Sequence, residues 1–184
     1  MKFRPLAILL MVTSMLALPS LGADEVPWQR ILADRLPLYG HRKWIVIADS
    51  AYPSQSSDAI ETVVTNAPQI EVLKAVLAAL ADTKHVKPNV FTDAELKYVP
   101  EQDAPGITQF RSELGQLLTG HDVSVISHDQ AIAKVDEASR TFHVLILKTD
   151  SVIPYTTVFL QLQCAYWNAD AEKRLRDAMA AEGK

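Results

Sequence analysis

The sequence predicts an α/β domain: a mainly parallel sheet flanked by helices, in a single unit. Three observations predict it. Lys43–Ala48 is a nearly unbroken apolar and β-branched run, as in strands buried on both faces under helices. Strand-like and helix-like segments alternate along the chain. The length of 184 residues, with 48% hydrophobic and 22% charged residues, suits one domain with its own core rather than a disordered chain.

The first segment reads as a targeting signal rather than as part of the fold. Lys2 and Arg4 precede an apolar run, Leu6–Leu18, broken only by Thr13 and Ser14, and small residues follow at Gly22 and Ala23. This is the pattern of a cleavable secretory signal over residues 1–23, and the run is short for a membrane span. The expected location is periplasmic or secreted, with no membrane attachment after cleavage. The formal charge of −4 becomes more acidic once Lys2 and Arg4 are removed, and there is no basic patch, which excludes nucleic acid as a natural partner. Cys164 is the only cysteine, so no internal disulfide is available; its apolar surroundings predict a buried, inert thiol.

From residue 24 onward the elements follow in order. Trp28, Ile31, Leu32 and Leu36 recur at helical spacing, with Gly40 as a stop. The strand 43–48 comes next, then a polar loop over 53–58. Ile60–Thr65 reads as a short strand. Pro68 opens a helix whose apolar face is Ile70, Leu73, Val76, Leu77 and Leu80. Val86–Phe91 is a strand, and Thr92-Asp93-Ala94-Glu95 has the capping-box pattern of a helix start. Ile107–Leu118 is an amphipathic helix ending at Gly120. Val123–Ser127 is a strand, and Ser127-His128-Asp129-Gln130 is a second capping-box pattern, opening a helix to about Ala138. Phe142–Leu147 and Thr156–Leu162 are two strands too close for a helical crossover, which predicts antiparallel pairing between them. Asp170–Ala180 is a charged helix within a C-terminal tail of about 168–184.

Several chemistries lack support. There is no glycine-rich phosphate loop, no G-x-S-x-G and no H-E-x-x-H or C-x-x-C motif. His121 and His128 straddle a strand without ligand spacing, so no metal site is read. What remains is a scatter of polar groups near strand ends. Ligands of open α/β sheets bind at the carboxyl ends of parallel strands. Asp49 follows the strand 43–48 and His128 follows the strand 123–127, so both face one edge if those strands run parallel. His128 also opens a helix, where the macrodipole favours a neutral imidazole, and imidazole is the side chain best suited to moving protons near neutral pH. Taken singly, Asp49 reads more often as a turn residue, and His41, His128 and Tyr155 as loop, helix-start and half-buried residues.

Their order is more specific than any one of them. "GHRKWIVIADSAYP" resembles the early motif of the D-ribose pyranase / L-fucose mutarotase family: a Gly-His pair, a hydrophobic strand, an Asp and a Pro. "SHDQAIAK" resembles the family segment in which a His or Tyr opens a helix after a strand, and "IPYTTVFLQ" the closing segment, where a Tyr precedes a final apolar strand. The resemblance implies an enzyme that interconverts ring forms or anomers of a free sugar such as ribose or fucose, with no metal and no cofactor. It implies His41 as principal acid/base, Asp49 and His128 as further catalytic groups, and Tyr155 and Thr157 as sugar-binding groups. It also implies ring-shaped homo-oligomers, often decamers, with sites near subunit contacts. The chain departs from the pattern in its export signal, in a tail over Gln163–Lys184 that the family mostly lacks, and at three places within the motifs. Thr157 stands where the family usually has Asn, Ile132 where some members have Lys, and Val63-Val64-Thr65 where fucose-type members carry Arg-Ala-Asp. These losses make an exported sugar-binding module without turnover the alternative reading.

Overall fold

The computed structural model describes residues 27–183. The segment 1–23, expected to be a targeting signal, therefore lies outside the described residues. Six strands form one sheet in the order β2-β5-β1-β6-β3-β4. They are β1 (Trp44–Ala48), β2 (Ile60–Val64), β3 (Val86–Asp93), β4 (Val123–Ile126), β5 (Val144–Lys148) and β6 (Val158–Cys164). β1 pairs parallel with β5, β5 with β2, and β3 with β4. β6 runs antiparallel to both of its neighbours, β1 and β3. The sheet is thus mainly parallel, with one reversed strand near its middle.

This arrangement corrects the expectation that the last two strands pair with each other. The short link after β5 reverses the chain, but β1 stands between β5 and β6. A parallel β1 with all five residues buried makes the better centre: it hydrogen-bonds β5 on one side and β6 on the other.

Alternating side chains divide the core into two layers. Ile45 and Ile47 of β1, Leu145 and Leu147 of β5, and Leu160 of β6 face one layer. Three helices cover it: α1 (Trp28–Arg35), α2 (Gln69–Ala81) and α3 (Ile107–Leu117). Trp44, Val46, Ile146 and Phe159 face the other layer, against Ala131 and Val135 of α4 (His128–Ser139). α5 (Ala169–Ala181) follows β6 and buries none of its residues.

Most helix signals hold. Pro68 precedes α2 as its cap residue, and Ser127 Oγ accepts the Gln130 amide at the start of α4. The Thr92–Glu95 pattern does not open an α-helix. β3 continues through Asp93, held by β4 and β6, and a short 3₁₀ turn over Ala94–Tyr98 follows. Pro88 sits inside β3, where β4 has not yet begun to pair, so its missing N–H costs no ladder bond on that side. Cys164 is also corrected: it ends β6 and is half-buried rather than enclosed.

Candidate functional site

The carboxyl ends of the parallel strands form one edge of the sheet. The reversed β6 begins at that same edge, so the segment before it joins Asp49 and His128 there. Asp49, Tyr52, Pro53, His128, Val152 and Tyr155 are among the residues lining a cleft of about 450 Å³. The structure thus brings together four of the five residues read from the sequence, counting Thr157 beneath Asp49.

The register explains how the histidine is placed. Asp93, the last residue of β3, stands opposite Ile126, the last residue of β4. The chain turns at Ser127, and His128 then falls beside Asp93. His128 Nδ1 lies 2.9 Å from Asp93 Oδ2. The backbone N–H of His128 donates to Glu95 at 3.0 Å. An ionised carboxylate only accepts, so Nδ1 carries the hydrogen and Nε2 is left for a ligand. The imidazole also meets the Tyr155 ring edge-on, with centroids 5.7 Å apart. It is fixed by a carboxylate, a backbone anchor and an aromatic neighbour.

Asp93 is the residue that sequence reasoning missed. Its side chain is fully buried. Burial pushes its carboxyl up to about 6, against the opposing pull of His128 and with help from the nearby Glu95 and Asp49. Its second oxygen, Oδ1, has no hydrogen-bond partner among the described residues. A buried carboxylate beside a partly exposed imidazole is the arrangement that orients a general base and stabilises its protonated form.

Asp49 is held by its own loop: Oδ1 accepts the Ala51 amide at 2.8 Å, and Oδ2 accepts the Thr157 hydroxyl at 3.5 Å. Thr157 is buried, so it reaches the cleft through Asp49. Tyr52 lies buried in the cleft wall. Burial, then Asp136, Asp93 and Asp49, push its phenol up to about 12. Tyr155 adopts a left-handed backbone, φ 58°, at the turn before β6. Such conformations cost a non-glycine residue about 1 kcal/mol or more and persist where the surroundings impose them.

A second missed residue holds the edge together. Gln69, buried at the start of α2, donates to the carbonyls of Ile47 and Thr156 and accepts from the Thr156 hydroxyl at 3.0 Å. The Thr149 hydroxyl donates to the Ala48 carbonyl at 2.8 Å. One side-chain amide thus ties the end of β1 to the segment carrying Tyr155 and Thr157. The loops around Asp49 and Val152 are joined by Ser50, whose N–H donates to the Ser151 carbonyl at 2.8 Å.

His41 is placed elsewhere. It precedes β1, whose five residues span about 16 Å, so it stands at the opposite edge from Asp49. There it lines a second cleft of about 600 Å³ with Arg42, Gln161, Gln163, Cys164 and Trp167. Arg42 fixes the approach to β1: its N–H donates to the Leu162 carbonyl at 2.8 Å, and its φ is 72°. Within one chain, His41 and the Asp93–His128 pair do not meet.

Comparison with known proteins follows the same outline. Residues 29–164 match the profile of the RbsD / FucU transport protein family. Among solved structures, the fold is similar to Bacillus subtilis RbsD complexed with D-ribose, at 21% identity and TM-score 0.51, over 72% of this chain and 91% of that one. It is also similar to the fucose mutarotase from Streptococcus pneumoniae in complex with L-fucose, at 17% identity and TM-score 0.51, over 76% of this chain and 97% of that one. No curated protein sequence gives a significant match.

Proposed function

Because the chain belongs to the RbsD / FucU family, we propose that it interconverts ring forms or anomers of a free monosaccharide by acid–base ring opening. The observation that carries this reading is the pairing of His128 Nδ1 with the buried Asp93, which leaves Nε2 free beside a sugar-sized cleft. Ring opening needs one group to take the proton of the anomeric hydroxyl and another to protonate the ring oxygen; reclosure reverses the roles. His128 Nε2 takes the first proton, and Asp93 stabilises the imidazolium that results. Asp49 and the Tyr155 hydroxyl bind sugar hydroxyls at the cleft wall, with Thr157 holding Asp49 in place.

The second proton-transfer group is His41, supplied by a neighbouring copy. Its position at the far edge of its own sheet supports this, because a histidine there reaches the cleft only from another subunit. The active form is accordingly a homo-oligomer, and the leader-like pattern of residues 1–23 supports an exported location. Ribose and fucose are the first substrates to test, being the sugars bound in the two similar structures.

Magnetisation-exchange NMR between the anomers of ribose, fucose, galactose and glucose tests the reading. Acceleration over buffer for at least one sugar is expected. A rise in melting temperature with sugar but no acceleration would instead identify a binding module, the reading favoured by the absence of the family's Asn at Thr157.

A further inference from the structure

We infer that the segment after β6 builds an aromatic wall onto the His41 cleft, where Trp167 stacks against the C–H face of a pyranose ring and sets sugar selectivity. The inference rests on the sugar reading above and extends it to residues outside the family match, which ends at residue 164.

Four observations lead there. First, Tyr166, Trp167 and Glu172 line the cleft that holds His41 and Arg42. Second, Trp167 is 45% exposed, whereas Trp28 and Trp44 are 8% and 2% exposed, so it alone of the described tryptophans presents its indole to solvent. Third, the indole is braced. Its Nε1–H donates to Glu172 Oε2 at 2.8 Å, and Glu172 Oε1 accepts from Arg176 Nε at 2.7 Å. Asn168, the adjacent residue, caps α5 by accepting the Ala171 amide at 2.8 Å. Fourth, α5 buries none of its residues, so the core does not need it. Its Glu172–Arg176 pair is the part that holds Trp167.

With its polar edge tied to Glu172, the indole has only its faces left for contact. The face of an aromatic ring is electron-rich, and the C–H hydrogens of a sugar ring are weakly positive and apolar, so the two stack. Arg42, Gln161 and Gln163 lie around the same cleft and supply hydrogen-bonding groups for a hydroxyl rim. A six-membered ring offers a broader run of C–H groups on one face than a furanose does, which points to the pyranose form.

The test uses the full-length protein. Acrylamide quenching of tryptophan fluorescence reports Trp167, because the other described tryptophans are buried. L-Fucose or D-galactose is expected to protect it from quenching. Trp167→Ala is expected to raise KM for anomer exchange about tenfold with kcat little changed, the effect of losing one stacked apolar face, and Trp167→Phe to restore most of it. If the wild type catalyses exchange, yet sugar gives no protection and Trp167→Ala keeps its KM, the inference fails and the mutarotase reading stands. Protection without exchange would support the wall on a protein that binds without turnover. Neither protection nor exchange would overturn both. A changed mass of Trp167→Ala by light scattering, with selectivity intact, would make Trp167 a subunit contact and overturn the inference.

Discussion

The Asp93 carboxylate sits 2.9 Å from His128 Nδ1, wholly buried, while the imidazole it holds is about one third exposed to the cleft. In the proposed mechanism the buried partner orients and the exposed partner acts. Asp93→Asn keeps the size and removes the charge. It is expected to lower kcat for anomer exchange about 100-fold while KM changes less than about threefold, because the amide no longer stabilises the imidazolium. Steady-state exchange rates over a range of sugar concentrations separate the two parameters. A large rise in KM with kcat intact would mean that Asp93 shapes binding instead.

The same carboxylate makes stability depend on pH. Its ordinary value of 3.8 rises to about 6 on folding, so between those values the folded chain holds a proton the unfolded chain has released. Stability from this group is therefore fully present below about pH 4 and is lost as pH climbs to about 6, by at most roughly 3 kcal/mol. Melting temperatures of wild type and Asp93→Asn between pH 4 and 7.5 check the sign. The wild type is expected to lose more on going up this range than the variant does; parallel curves would contradict the assignment.

Gln69 offers a stability test with a functional echo. Gln69→Leu is close in size, but it removes the side-chain donor to the carbonyls of Ile47 and Thr156, while the Thr156 hydroxyl keeps the Ile153 carbonyl as its acceptor at 2.8 Å. Urea denaturation is expected to show a loss of about 3 kcal/mol, since buried groups left unpaired cost about 1–3 kcal/mol each and the leucine regains part in apolar contact. Hydrogen exchange is expected to quicken over residues 149–157 more than over α4.

Tyr155 separates backbone strain from ligand contact. Tyr155→Gly relieves the left-handed conformation and removes the ring packed edge-on against His128. The two effects are each about 1 kcal/mol and opposed, so stability is expected to change by less than about 1 kcal/mol. Sugar affinity, measured by calorimetry, is expected to fall at least tenfold. A severe stability loss with affinity retained would assign Tyr155 to the fold alone.

Much of this was legible in the sequence, for reasons that the residues make plain. The apolar run of β1 announced a strand buried on both faces, and all five of its residues are buried. Ser127 announced α4, because its cap hydrogen bond closes within four residues. The sheet edge shared by Asp49 and His128 followed from strand direction, whereas Tyr155 and Thr157 were pointed to only by the family resemblance. The order of strands did not, because insertion of β6 between β1 and β3 is decided by packing across the whole sheet. Asp93 was hidden in a pattern that reads locally as a helix start. Only its pairing with β4, and a histidine 35 positions away, shows its use. Gln69 likewise looks like any polar residue in a helix's first turn, since its partners come from β1 and from the segment before β6.

The separation of His41 from His128 leads to the most direct test. Variants His41→Ala and His128→Ala are prepared singly, then co-expressed and co-purified as mixed oligomers, and anomer exchange is measured by NMR for each. Each single variant is expected to be inactive. In the mixed oligomers, sites that receive His41 from one copy and His128 from its neighbour are intact, and random assembly restores roughly a quarter of wild-type activity. Mixed oligomers as inactive as either variant alone, or a His41→Ala protein with full activity, would contradict a site shared between subunits.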